Sequence, residues 1–437
     1  MKTFEQMGIK IPEILLPKNL DVSTWSVVAC DQYTQDRGYW NSVQKTADGK
    51  PSSLNIILPE VYLNDSDKLE RIKKIRATMN EYLENGIFAE PQKEFVYVER
   101  TTAYNRVRRG LVAAIDLETY EWKPFSKALV RATEATIVDR IPPRMEIRRG
   151  APLESPHIML LVDDPEKKLV EGTGSRVEKN KPLYSGNLMQ NSGSIKGWAV
   201  SSAEDVEYVR SALENLAEKH TASDGSVFLF AVGDGNHSLA TAKAVWDEYK
   251  AANPEEKDSP VRYALVEIVN IYDSGLTFEP IHRVVFDADP EKLIEKIARK
   301  LDGTVKKVSS AQELEDSVKK SSADFGFVFT KNGAQEFFKI ETKIKELAVA
   351  RFQPVLDEIL KADFPSSKID YIHGSQEVLR LGSTENSTGI LLPPVAKESF
   401  FATINSRGPL PRKSFSMGEA DEKRFYLECR KLFPINF

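Results

Sequence analysis

Residues 227–232 are apolar without interruption and run directly into Gly233-Asp234-Gly235-Asn236-His237-Ser238, after which residues 238–250 carry apolar side chains at helical spacing. A buried strand that ends in a two-glycine turn and restarts as an amphipathic helix is the unit from which layered α/β folds are built. Glycine permits positive φ or close backbone approach, and the first amides of the following helix have no partner within it, so an anion can take that place. Asp234, Asn236, His237 and Ser238 add an acceptor, an amide, a titratable imidazole and a hydroxyl around the same point. The plainer alternative is a tight strand-to-helix connection capped by Asn236 or Ser238.

Strand-like runs alternate with helical ones over most of the chain. Residues 27–30, 95–98, 110–115 and 157–162 read as strands, and residues 66–84 and 203–219 as helices. The fold class expected is α/β, a mixed-sheet body with a small inserted α+β subdomain. Residues 284–342 supply that insertion: a strand, a helix at 290–301, a strand at 304–308, a helix at 311–320 and a hairpin turning at Lys331-Asn332-Gly333. The boundaries expected are a main body over residues 1–283, an inserted unit over 284–345 and a C-terminal segment, 346–437, that returns to the body. Within that segment a helix is expected at 347–360 and a strand at 389–392. Residues 169–195, with Gly172, Gly174, Gly186 and Gly193 and few aliphatics, read as a long loop or mobile flap.

At 437 residues the chain exceeds a single core, and a net charge of −5 with both signs interspersed offers no broad surface for nucleic acid. No stretch approaches the roughly 20 apolar residues of a membrane span, and the N-terminus has no signal pattern, so a cytoplasmic protein is expected. Cys30 and Cys429 are too few for a disulfide framework and lack zinc-site spacing, which fits a reducing compartment; pairing between the two stays open.

The other polar constellations are fewer. Arg131 and Glu134 would pair if one turn apart on a helix, or would set a general base beside a phosphate-binding guanidinium. Arg140 follows, and then a cluster of Arg144, Arg148 and Arg149. His282 and Arg283 stand where a strand leaves the core, either as phosphate-binding donors or, for His282, as a satisfied structural histidine. His157, His220 and His373 read as structural or exposed. Arg412, Lys413 and Ser414 follow a proline-rich turn. No His-Glu-x-x-His or Cys-x-x-Cys spacing occurs, so no built-in transition-metal site is expected. Magnesium carried with a nucleotide needs only one or two carboxylates, for which Asp31, Asp163, Asp164 and Asp234 are candidates. Neither a Walker-type loop nor a Gly-x-Ser-x-Gly elbow is present.

Five stretches taken in order, Trp25 to Thr34, Arg131 to Thr136, Gly233 to Ser238, Pro280 to Arg283 and Pro411 to Ser414, resemble the family called domain of unknown function 1015. In much of that family the central motif reads Asp-Gly-His-His-Arg and the upstream one His-Glu-x-Thr. This chain has Asn236 and Ser238 where the commoner form has His and Arg, and Arg131-Ala132-Thr133 ahead of Glu134. The commoner central motif is in turn similar to the signature of the ParB and sulfiredoxin superfamily, including the free serine kinases, whose turn and following helix bind nucleotide phosphates.

These readings converge on a nucleotide-binding enzyme that transfers a phosphoryl group to a small hydroxylated metabolite, with Glu134, Asp31 and His237 as catalytic candidates. Gly233, Asp234, Gly235, Asn236, Ser238, Thr241, Arg131, Arg140, His282, Arg283, Arg412, Lys413 and Ser414 are the phosphate- or nucleotide-binding candidates, and Asp234 is the metal candidate. The rivals are a nucleotide-gated regulatory module of the partition-protein kind and a metal-dependent phosphohydrolase. No membrane or nucleic-acid partner is expected.

Overall fold

The computed structural model describes residues 1–434. The fold is mixed α/β, and the chain divides into two compact units, one of residues 1–276 together with the segment from 419 onward, the other of residues 277–418.

The first unit is built on a ten-stranded mixed sheet. Its main path runs Tyr184–Asn187, Ser194–Val200, Phe95–Thr101, Val107–Asp116, Tyr263–Asn270, Met159–Val162, Phe230–Asp234, Val130–Ala132 and Tyr120–Glu121, with Ile9–Lys10 pairing onto Val107–Asp116. Tyr263–Asn270 and Met159–Val162 are parallel, as are Phe230–Asp234 and Val130–Ala132, while Met159–Val162 and Phe230–Asp234 are antiparallel. Both faces are covered, which the period of two in the strands makes visible. Phe95 and Tyr97 join one apolar core with Leu213, Leu239 and Trp246, and Val96 and Val98 join another with Trp25, Ile72 and Phe425.

The segment after residue 419 stitches this unit together. Phe425–Tyr426 pairs with Val27–Val28, Arg430–Lys431 pairs with Leu153–Glu154, and Trp25 Nε1–H donates to the Leu427 carbonyl at 3.0 Å. Cys30 and Cys429 are both free thiols, which closes the question of pairing between them.

Residues 169–195 are not a loop. They contain the helix Val170–Val177, the strand Tyr184–Asn187 and the start of Ser194–Val200. The glycines there serve close approach: a Cβ at Gly174 would sit 2.3 Å from the Tyr97 ring, and one at Gly172 would sit 2.2 Å from the Tyr208 hydroxyl.

The second unit has a six-stranded antiparallel sheet in the order Thr304–Val308, Ala334–Glu341, Phe325–Lys331, Ser387–Leu391, His282–Phe286 and Lys368–Ile372. The helices Pro290–Leu301 and Ala348–Asp363 bury Leu293, Ile297, Phe352 and Leu356 against Val285, Phe325, Phe327 and Ile390. The elements expected over 284–342 are all present. The unit, however, begins at Thr277 and ends at Gly418, whereas the sequence pattern sets the boundaries at 283/284 and 345/346. The reason is strand pairing across long separations: Ser387–Leu391 inserts between Phe325–Lys331 and His282–Phe286, so the later residues complete this sheet.

Candidate active site

The strand Phe230–Asp234 ends beside Met159–Val162 in an irregular register. Met159 lies opposite Asp234 and Leu160 opposite Val232, leaving Gly233 as an extra residue. Such a bulge re-aims the next side chain, here Asp234. Gly235 then takes φ +82°, with Ile158 and His157 packed against it, and the 17-residue helix Asn236–Ala252 begins. The N-cap position is this glycine, which has no side chain to offer the helix. Asn236 reaches Thr133, whose amide donates to Asn236 Oδ1 at 3.3 Å while Asn236 Nδ2 donates to the Thr133 hydroxyl at 3.3 Å. Thr133 in turn donates to the Val232 carbonyl at 2.6 Å. The Ile137 amide donates to His237 Nε2 at 3.3 Å, which puts the ring proton on Nδ1. The turn is thus fixed laterally to residues 133–137.

Around Asp234 a set of charged groups gathers. Lys423 Nζ lies 3.7 Å from Asp234 Oδ1, with the two side chains only 11% and 16% exposed. Asp234 Oδ2 is buried and has no hydrogen-bond partner among the described residues. Burial pushes the Asp234 carboxyl above the ordinary aspartate value and the negative charge of Asp31 pushes the same way, while Lys423 and His157 oppose them. Asp31 sits in the turn after Val27–Val28 and accepts from Gln32 Nε2 at 2.9 Å. The neighbouring Cys30 amide donates to the Tyr426 hydroxyl at 3.2 Å, and that hydroxyl is 2.8 Å from His157 Nδ1. Arg144 reaches Glu60 at 2.8 Å, and the Glu60 amide bonds the Cys30 carbonyl at 2.8 Å, which steadies the same turn.

Lys423, His157 and Tyr426 are not among the sequence candidates for chemistry. Nothing local to them signals a site: Lys423 reaches Asp234 from the far end of the chain because Arg100 and Arg108 hold the backbone around it. Arg100 donates to the carbonyls of Asp421, Glu422, Lys423 and Ser192, and Arg108 to that of Glu422 at 2.6 Å.

The other candidates stand as follows. Arg131 lies on the strand Val130–Ala132, so the one-turn helical pairing with Glu134 does not arise; its Nε donates to the Ala128 carbonyl at 2.9 Å and its guanidinium lies 4.5 Å from the Phe228 ring. Glu134 is half-buried just beyond that strand, and Arg140 is exposed in the short turn Val138–Arg140. Thr241 is buried and bonds back to the His237 carbonyl at 2.7 Å, and Ser238 is half-buried on the first helical turn. Arg148 and Arg149 pair with Glu154 and Glu248. Asp164 accepts the Leu169 amide at 2.8 Å, and the Asp163 carbonyl bonds His220. In the second unit the Leu392 amide donates to His282 Nδ1 at 3.0 Å, and burial lowers that imidazole to about 4, so it is neutral at physiological pH. Arg283 and Ser414 are buried there, and Arg412 and Lys413 are exposed. Among the described residues no group of three or more His, Cys, Asp or Glu could hold a metal ion, and no helix is long and apolar enough to cross a membrane.

The model of the family described as protein of unknown function (DUF1015) matches residues 14–359. The chain belongs to this family. No curated protein matches it. Among solved structures it is similar to a conserved hypothetical protein from Pyrococcus furiosus, at TM-score 0.35 and 12% identity over 74% of this chain and 95% of that one. A free serine kinase in complex with AMP matches at TM-score 0.35 and 12% identity over 72% and 90% of the two chains. SbnI with a C-terminal truncation, from Staphylococcus aureus, matches at TM-score 0.35 and 7% identity over 72% and 85%. With TM-scores this far below 0.5, these likenesses carry no inference about this chain.

Proposed function

We propose that the first unit binds a nucleoside phosphate at the turn Gly233 to Ser238 and transfers a phosphoryl group to a small hydroxylated substrate. The observation that carries this reading is Asp234: a carboxylate that follows a strand bulge, mostly buried, with one oxygen unpartnered among the described residues, beside a lysine and a helix that starts at a glycine N-cap. Backbone amides at the start of Asn236–Ala252 would hold phosphate oxygens, aided by the helix dipole. Asp234, whose affinity for a proton is raised, would accept the proton of the substrate hydroxyl as that oxygen bonds to phosphorus. The bond from phosphorus to the nucleoside diphosphate oxygen breaks with its electron pair on the leaving group, and Lys423 offsets the negative charge nearby. Phosphoryl transfer relies on positioning and electrostatics, so this small set is chemically sufficient.

Magnesium takes one or two carboxylates plus phosphate oxygens, and Asp31, whose charge Asp234 feels, would supply one, leaving the unpartnered oxygen of Asp234 for the proton. Bound with the nucleotide, it would neutralise phosphate charge. A protein with two free thiols suits the reducing cytoplasm, where such substrates are found.

The test is a melting-temperature screen of nucleoside mono-, di- and triphosphates with and without magnesium, followed by product analysis with terminally labelled nucleotide. The expected result is stabilisation by at least one nucleotide and label recovered on an organic hydroxyl compound. Absence of any stabilisation defeats the reading. Label released only as inorganic phosphate makes the protein a phosphohydrolase, and binding without turnover makes it a nucleotide-gated module.

A further inference from the structure

We propose that the second unit carries its own oxyanion site, suited to a phosphate-bearing small molecule, on Arg283, Tyr371 and Arg412. It uses none of the residues assigned to the first unit's chemistry and does not depend on that assignment.

Arg283 lies on the strand His282–Phe286 directly opposite Tyr371 on Lys368–Ile372, and its side chain is fully buried. Its Nε donates to Gln353 Oε1 at 2.8 Å and its Nη1 to the Ile281 carbonyl, while Nη2 has no partner among the described residues. Nor, among those residues, does any carboxylate reach ion-pair distance of it: Gln353 stands between, donating through Nε2 to Asp357 at 2.7 Å. Of the buried arginines in the first unit, Arg424 and Arg430 each have a glutamate partner and Arg100 donates to four backbone carbonyls, whereas Arg283 has one side-chain amide and one carbonyl. A buried guanidinium without a counter-charge is expensive, and an anion is what the arrangement lacks.

The second cation arrives from the other sequence motif. Phe278–Pro280 pairs with Phe415–Met417, and the Ile281 amide donates to the Ser414 carbonyl at 3.5 Å, so residues 412–414 lie against the entry to the strand that carries Arg283. Arg412 and Lys413 are exposed and have no ion pair among the described residues. Lys413 takes φ +59°, a left-handed conformation that costs energy for a residue with a side chain and that turns the two cations through the bend. Tyr371 feels both guanidinium charges. Its ring is 5.0 Å from the Arg283 guanidinium; burial and the Asp357 charge push its hydroxyl above the ordinary tyrosine value, while Arg283 and Arg412 oppose them. The one free Nη2 group of Arg283, the Tyr371 O–H and the fork of Arg412 would together offer donors for the three free oxygens of a phosphate monoester, more than the two of a planar carboxylate can use.

The experiment is titration of the full chain with inorganic phosphate and with a phosphate monoester, followed through the Arg283 Nε–H resonance in NMR. That proton is buried and bonded to Gln353, so its exchange is slow, and it reports on the second unit alone. The resonance is assigned by its loss in Arg283→Lys or, should that variant fail to fold, by its contacts with the Tyr371 ring. A saturable shift is expected, weakened at least tenfold by Arg412→Ala, a change at an exposed position. A resonance that phosphate does not move, or moves equally in Arg412→Ala, overturns the site. Saturation by acetate at the same concentration overturns the assignment to phosphate. A shift by phosphate while no nucleotide stabilises the protein supports this site and defeats only the first-unit reading.

Discussion

Lys423 and Arg424 are neighbours in sequence and reach buried carboxylates of opposite character. Arg424 lies between Glu267, at 2.8 Å, and Glu428, whose other oxygen also accepts from the Tyr184 hydroxyl. Both glutamates and the arginine are at most 2% exposed. Lys423, one residue earlier, meets Asp234 at only 3.7 Å and leaves its second oxygen without a partner. In the first set every charge meets an opposite charge, although Arg424 Nε and Glu267 Oε2 make no hydrogen bond; in the second, one carboxylate oxygen has neither a hydrogen bond nor an ion pair among the described residues. A buried carboxylate that the fold does not satisfy marks where a ligand belongs.

The largest effect expected follows from breaking the first set. Arg424→Met leaves Glu267 and Glu428 buried without their main counter-charge and should destabilise the first unit by about 3–5 kcal/mol in denaturant unfolding. A loss under about 1 kcal/mol would erase the contrast between the two sets.

Next comes acid. His282, in the second unit, is held neutral by burial first and by the adjacent Arg283 charge second, at about 4 against an ordinary 6.5. The unfolded chain therefore binds a proton that the folded unit refuses between those values. The associated stability is complete above pH 6.5, falls as the pH drops, and is gone below about 4, a change on the order of 3 kcal/mol. Unfolding of the wild type and His282→Gln across this range should show the slope in the first and a flatter profile in the second.

Asp234 has the opposite sign. Its proton affinity is raised in the folded state, so between the ordinary value of 3.8 and its folded value stability declines as pH rises. Asp234→Asn should accordingly be more stable than wild type at pH 7, with the gap closing below pH 3.8, and should lose the phosphoryl transfer proposed above. Equal or lower stability at pH 7 would mean the carboxylate serves the fold. The smallest effect is expected at Asn236, whose two bonds to Thr133 hold the turn sideways: Asn236→Ala should cost ~1 kcal/mol, measured by thermal melting, and should weaken nucleotide binding.

The strand, turn and helix around Gly235 are legible in the sequence because every signal there is local: an unbroken apolar run, two glycines and a 3.6-residue period. The same holds for the helices and hairpin between residues 290 and 341. Residues 169–195 read as a loop because glycine density resembles flexibility, whereas Gly172 and Gly174 are small so that Tyr208 and Tyr97 can pack against them. The extent of the second unit is hidden by strand pairing between residues a hundred positions apart, which leaves no local trace. In the site, Asp234 and Asp31 stand out from their own turns. Lys423 and Tyr426 do not, since only the return of the C-terminal segment to Val27–Val28 brings them there.

The most direct test of the account is the titration of the Asp234 carboxyl itself, by carbon-13 NMR of aspartate-labelled protein with Asp234→Asn for assignment. A midpoint above 3.8 is expected, moving down when Asp31 is replaced by Asn, because a neighbouring negative charge is removed. A midpoint at or below 3.8, indifferent to Asp31→Asn, would show a carboxylate already satisfied by its surroundings and would contradict the claim that this corner is incomplete without a ligand.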